Sequence, residues 1–187
     1  MKKYLFIVLL VGFCFGQKLY FGLDLSKNIY NNKDYSDLYT QSYFSGYQLG
    51  FEQSYKNFHF GLGANHKGNI SKVDDTQIEV IDSYDYFSFH LIYSSNILDK
   101  IKPIVGFSVG GHVIAKNILK VDGIENYLDM DMTNPYSAII GCDYYFSPQI
   151  GFRLAYSRIL NNLVENIDDD LNRKNHSLSF SLLYMNN

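Results

Sequence analysis

The 187-residue sequence contains no tryptophan, three prolines and two cysteines, and past its first sixteen residues it has no long hydrophobic run. Each absence excludes something. A membrane-spanning helix needs roughly 20 consecutive apolar residues, and no segment after residue 16 supplies them. Proline is too sparse to interrupt extended strands. Cys14 belongs to the N-terminal apolar stretch and Cys142 stands alone beyond it, so no disulfide framework can hold the fold. A basic excess is missing too. Sixteen Lys and Arg face nineteen Asp and Glu, a net charge of −3, which argues against a nucleic-acid partner.

Residues 1–16 have the anatomy of a secretory signal. Lys2 and Lys3 supply the positive start, residues 4–15 are almost unbrokenly apolar, and Gly16 is the small residue before the cut, with Cys14 two places earlier. That apolar stretch is too short to span a bilayer comfortably, since a spanning helix takes roughly 20 residues. Cleavage after Gly16 leaves residues 17–187 as one domain. Loss of Lys2 and Lys3 takes the formal charge to −5, from −3.

What is abundant is aromatic: 17 Tyr and 14 Phe. Both favour strands, and both sit well at a membrane–water boundary. Past Gly16 the dominant sequence period is two. In residues 19–26 the odd positions Leu19, Phe21, Leu23 and Leu25 are apolar, and Tyr20, Gly22, Asp24 and Ser26 alternate with them. Residues 43–53, 58–65, 82–93, 102–113, 135–145, 149–157 and 176–184 repeat the pattern, which makes eight strands. Each is near the roughly 9–11 residues that cross a bilayer at a tilt. In the fourth run Tyr84 and Tyr86 fall out of phase with Phe87 and Phe89, a sign of a bulge or of interior aromatics.

The connections alternate long and short: residues 27–42, 54–57, 66–80, 94–101, 114–134, 146–148 and 158–175. That order fits an outer-membrane barrel whose N-terminus is periplasmic, with short periplasmic turns and long outer loops. The face opposite the apolar one is rich in Gly and Ser with single charges. A soluble barrel would point its apolar residues inward; this chain is expected to point them at lipid. The fold class is therefore an all-β, eight-stranded antiparallel up-and-down transmembrane barrel.

Four stretches resemble the outer-membrane β-barrel domain family of small bacterial barrels, including the PorT-like group. Ser45-Gly46-Tyr47-Gln48-Leu49-Gly50 is similar to that family's second strand. Residues 86–93 with Lys102-Pro103-Ile104-Val105-Gly106 are similar to its fourth and fifth. Ile140-Gly141-Cys142-Asp143-Tyr144-Tyr145 resembles the sixth, and residues 175–184 the last. The resemblance covers nearly all of residues 17–187. It implies an integral outer-membrane barrel and carries no catalytic residues to transfer.

Candidate chemistry is thin. His59, His66, His90, His112 and His176 show no metal-ligand spacing and have no Cys partner. His59, His90 and His112 fall on interior positions. His176 and Ser177 are neighbours on one strand and point to opposite faces, so they cannot act as base and nucleophile. Gly61-Leu62-Gly63 precedes no helix and reads as strand interior. Asp129-Met130-Asp131 and Asp168-Asp169-Asp170 read as solvated loop charge, with weak divalent binding as the alternative.

The informative set is Glu52, Lys102, Asp143 and Arg153. All four point inward by strand phase and lie near the short turns, so they should pair as a lumen charge cluster. The expected function is a non-enzymatic barrel, structural or acting through its outer loops, with no cofactor. Its expected partners are outer-membrane lipid and lipopolysaccharide, the barrel assembly machinery and an extracellular ligand. The alternatives are a small gated channel, an accessory subunit of an envelope secretion system, or a lipid-modifying enzyme.

Overall fold

The computed structural model describes residues 18–30, 39–42, 44–73, 76–95, 100–128, 132–163 and 173–186. The signal region and the two acidic triplets at 129–131 and 168–170 lie outside these. Ten strands are present among the described residues: β1 (Lys18–Tyr30), β2 (Tyr39–Ser42), β3 (Phe44–Tyr55), β4 (Phe58–Val73), β5 (Ile78–Ser94), β6 (Ile101–Val121), β7 (Ile124–Leu128), β8 (Tyr136–Tyr145), β9 (Ile150–Ile159) and β10 (Arg173–Met185). Eight of them close a ring of antiparallel neighbours in the order β1, β3, β4, β5, β6, β8, β9, β10 and back to β1. The closed eight-stranded barrel expected from the alternation is the fold found.

Register fixes the barrel's shape. Hydrogen-bonded partners followed from Lys18 run through Glu52, Gly61, His90, Ser108, Ser137 and Ile159. One step past the Arg158–His176 pair the path reaches Asn175 and returns to β1 at Asn28, a stagger of ten residues. With a rise of about 3.3 Å and a strand spacing of about 4.8 Å, that stagger tilts the strands by about 40°. Eight strands at this tilt leave room for side chains and little else.

Polarity is inverted relative to a soluble barrel. Outward side chains such as Leu23, Leu62, Val105, Ile140 and Leu182 are exposed, while Lys18, Glu52, Asp143 and Asn175 are fully buried. Only a surround of hydrocarbon makes that arrangement favourable, because water would penalise the apolar exterior. Tyr55, Phe58, Tyr93 and Tyr184 ring the short-turn end of this band, and Tyr47, Tyr136 and Tyr156 lie on its far side. These are the aromatic girdles of a membrane barrel.

The long connections are shorter than the sequence alone indicates. β4, β5 and β6 run to 16, 17 and 21 residues, against the roughly 9–11 that cross a bilayer. Most of the expected loops 66–80 and 114–134 is therefore paired strand projecting beyond the apolar band. β2 pairs with the projecting part of β4 and β7 with that of β6, so a five-stranded sheet rises from one side of the ring. Asp122-Gly123 closes β6 onto β7 as a two-residue turn with φ of 51° and 84°, the left-handed pair that an Asp-Gly hairpin favours.

Phase changes once. Two residues of β6, 112 and 113, face one of β5, residue 86, where the register shifts between Asp85 and Phe87. Val109 belongs to an odd-numbered outward set; beyond the bulge Ile114 is exposed and Asn117 buried, so the outward set becomes even. Tyr84 and Tyr86 are interior aromatics, packed with Ile159 and Leu163. β5 keeps one phase through both tyrosines, so of the two readings the interior aromatics hold, and the bulge lies on β6 instead.

Candidate functional site

Four strands aim charges at one point near the short-turn end of the lumen. Arg153 of β9 directs its guanidinium between two carboxylates. Nη1 and Nη2 donate to Glu52 Oε1 and Oε2 at 2.5 and 3.2 Å, and Nε and Nη2 donate to Asp143 Oδ1 and Oδ2 at 2.7 and 3.0 Å. The planar fork of Arg suits this double bidentate grip, which the ammonium of Lys could not make. Asp143 lies directly across the β8–β9 ladder from Arg153, and Glu52 reaches it across the lumen.

The second cation is Lys18, at the start of β1. Its Nζ lies 3.0 Å from Glu52 Oε2 and 3.3 Å from Asp143 Oδ2. Lys18 continues the inward even-numbered series of Tyr20, Gly22 and Asp24, so alternation extended one residue further would have found it. Lys102 does not join. It is the register partner of Asp143, yet its Nζ sits 5.2 Å above the Tyr145 ring and makes no ion pair with either carboxylate. Arg153 and Lys18 already occupy both Asp143 oxygens. The cluster is thus Lys18, Glu52, Asp143 and Arg153, two charges of each sign and neutral as a unit. His90 Nε2 lies 3.2 Å from Glu52 Oε1, and the Tyr145 hydroxyl donates to Asp143 at 3.4 Å.

Glycines make space for what surrounds the cluster. Gly50 and Gly63 face each other across β3 and β4, and a Cβ at either would lie 2.3 Å from the Tyr20 hydroxyl. A Cβ on Gly61 would lie 2.1 Å from His90 Nε2. Gly61-Leu62-Gly63 is strand interior that admits these two rings.

Above the cluster lies a polar cavity of about 60 Å³, lined among others by Gln48, Asn65, Lys67, Ser108, Ser157 and Ser179. It has room for a few water molecules. Beyond it Lys67 donates to Ser177 Oγ at 2.8 Å, and Asn28 bridges Asp82 and Asn175 at 3.4 and 3.0 Å. Hydrogen-bonded side chains occupy the lumen on both sides of this cavity.

The remaining candidates scatter. His59 shares a 2.7 Å contact with Ser54. His66 faces outward, stacked on Tyr47 and 2.7 Å from Asp85. His176 bonds the Tyr156 hydroxyl on the outer face, whereas Ser177 points inward to Lys67 and Ser157. No base–nucleophile pair forms between them. The side chain of His112 lies outside the described residues. Among the described residues no three His, Cys, Asp or Glu side chains converge in a way that could hold a metal ion.

No family model matches the chain, and no curated protein matches it. Solved structures do. Neisserial surface protein A is similar at a TM-score of 0.59 and 12% identity, over 90% of this chain and 96% of that one. Ail, the attachment invasion locus protein of Yersinia pestis, is similar at 0.54 and 12%, over 90% and 99%. At this identity the likeness is one of fold: the small eight-stranded outer-membrane barrel.

Proposed function

We propose that the chain is an integral outer-membrane barrel, closed to solutes, that works through the sheet it projects beyond the membrane. The observation that carries this is the division of the molecule into a filled, apolar-jacketed ring and a paired projection. Ile124 and Tyr127 of β7 stand 68% and 74% exposed on that projection. Large exposed side chains on ordered strands are the features of a contact surface. Ail is named for attachment, and for this chain a role in surface interaction rests on the projecting sheet. The chain has no catalytic role in this reading. Its partners are outer-membrane lipid, the machinery that assembles barrels and a ligand outside the cell.

Deleting residues 70–81 together with residues 118–127 removes the projecting ends of β4, β5 and β6 and the hairpin that carries Ile124 and Tyr127. The variant should still assemble and should lose surface-dependent behaviour such as cell–cell or cell–substrate attachment. Attachment equal to that of the unmodified chain would rule out the projection as the working part. A second reading, a small gated conduit or an accessory subunit of a secretion system, draws support from the cavity above Arg153. Planar-bilayer recording separates the two. Steady conductance would refute the closed lumen, and its absence from both the native chain and Arg153→Ala would remove the conduit.

A further inference from the structure

At the outer mouth of the lumen, where the projecting sheet begins, inward side chains of five strands form one polar layer: Asn28 of β1, Asn69 of β4, Asp82 of β5, Asn117 of β6 and Asn175 of β10. All five are buried. Asp82 stands between its register partners Asn69 and Asn117, and Asn28 is the register partner of Asn175. The Asn28 amide joins the two groups across the lumen. Its Nδ2 donates to Asp82 Oδ2 at 3.4 Å, and its Oδ1 accepts from Asn175 Nδ2 at 3.0 Å. Asn69 spends its Nδ2 on Ser71 Oγ at 2.9 Å. The amide oxygens of Asn69 and Asn175 then have no hydrogen-bond donor among the described residues, on side chains only 1% and 0% exposed. A buried oxygen without a donor costs free energy, so both call for a partner.

We infer that this layer binds a calcium ion, held by the Asp82 carboxylate and the amide oxygens of Asn69 and Asn175. Calcium takes about six to eight oxygen ligands and accepts carboxylate, amide and water oxygens alike, which is the donor type the layer offers. Among the described residues no His or Cys belongs to the layer, so a softer transition metal finds no ligand it prefers. A carboxylate has about four acceptor positions, and the bond from Asn28 leaves Asp82 able to hold an ion as well. One carboxylate gives low affinity, a dissociation constant of about 10⁻⁴–10⁻³ M, the range of calcium modules that work outside cells. The ion braces β4 and β5, the root of the projecting sheet, against β1 and β10. Water satisfies a lone amide oxygen equally well; it differs from an ion in its indifference to the charge of Asp82.

The test uses the full chain refolded into vesicles of zwitterionic phosphatidylcholine. The temperature at which the folded gel mobility is lost is read in EDTA and over a calcium titration at constant ionic strength. Binding to the folded state alone raises that temperature, and the titration gives the half-saturating concentration. The native chain should respond with half-saturation at about 10⁻⁴–10⁻³ M. Asp82→Asn removes the charge, keeps the shape and still accepts from Asn28, and it should weaken the response at least about tenfold, since ligand charge sets calcium affinity. Asn69→Asp sets a second carboxylate beside the first and should tighten half-saturation about tenfold, while losing stability in EDTA. A native chain indifferent to calcium overturns the site. So does an unchanged response in Asp82→Asn, which would put the ion on acidic residues elsewhere. Loss of stability in Asn69→Asp with no gain in calcium affinity would mean that the Asn69 amide simply donates to Asp82, and the site falls. Should Asn69→Asp not fold, Asn69→Leu replaces it: a weakened response supports the site, and an unchanged one overturns it.

Discussion

Arg153 shows how much depends on one buried side chain. Its guanidinium satisfies two carboxylates that would otherwise sit unpaired in a water-poor lumen, with Lys18 as their remaining cation. Arg153→Met should therefore destabilise the barrel by about 3–5 kcal/mol, more than Glu52→Gln, because a stranded buried charge costs more than a lost pair. Combining the two should cost less than the sum of the singles. Denaturant titration of the refolded chain, followed by gel mobility, measures all three, and strict additivity would mean that the pair does not act together. Gly63→Val should cost about 1–3 kcal/mol by driving a side chain into Tyr20. Tyr20→Leu in the same chain should recover part of that loss, and no recovery would point to the strand backbone as the cause. Glu52, Asp143 and Arg153 were legible in the sequence because period-two alternation assigns each a face. Lys18 has the right phase but is the first residue of β1, one place before the run from which the alternation was read. Lys102 has the right phase, but occupancy of the Asp143 oxygens is a property of three-dimensional neighbours.

At the scale of elements, the question is where the membrane ends along β4. Leu62 and Ile70 occupy the same outward face of one strand, eight residues apart, the first inside the apolar band and the second on the projection. Leu62→Arg should cost about 2–4 kcal/mol and Ile70→Arg about 0–1 kcal/mol, because the penalty for a lipid-facing charge depends on depth. Equal penalties would move the boundary up the strand. Alternation located the strands but not their ends. Beyond the bilayer both faces of the ribbon are mixed, with Ile70, Val73, Val80 and Ile81 interspersed among Lys and Asn, so period two fades while pairing continues. The bulge on β6 left no mark in β5, where Tyr84 and Tyr86 keep the inward phase, and only pairing located it.

At the scale of the whole molecule, a closed ring has no free edge and each ring strand has two neighbours. The barrel should therefore survive in detergent unboiled. The extracted chain is expected to migrate at one mobility unheated and at another after boiling, and identical mobility would argue against a closed barrel. The orientation is tested on intact cells. Protease added outside should cut within residues 114–134 or 158–175 and spare residues 54–57, and cleavage confined to the short turns would invert the topology.

The sequence by itself determined which side chains face lipid and which face the lumen, because a strand's alternation needs only a local pattern and a surround of one polarity. It also determined the number of crossings and the order of long and short connections. The tertiary structure decided the partners of the lumen charges, the paired nature of the long connections and the neighbours across the seam where β10 meets β1. Each of those depends on register between strands far apart in the chain: Lys27 and His176 become neighbours only when the last strand closes on the first. No single strand's pattern encodes the stagger at which that closure occurs.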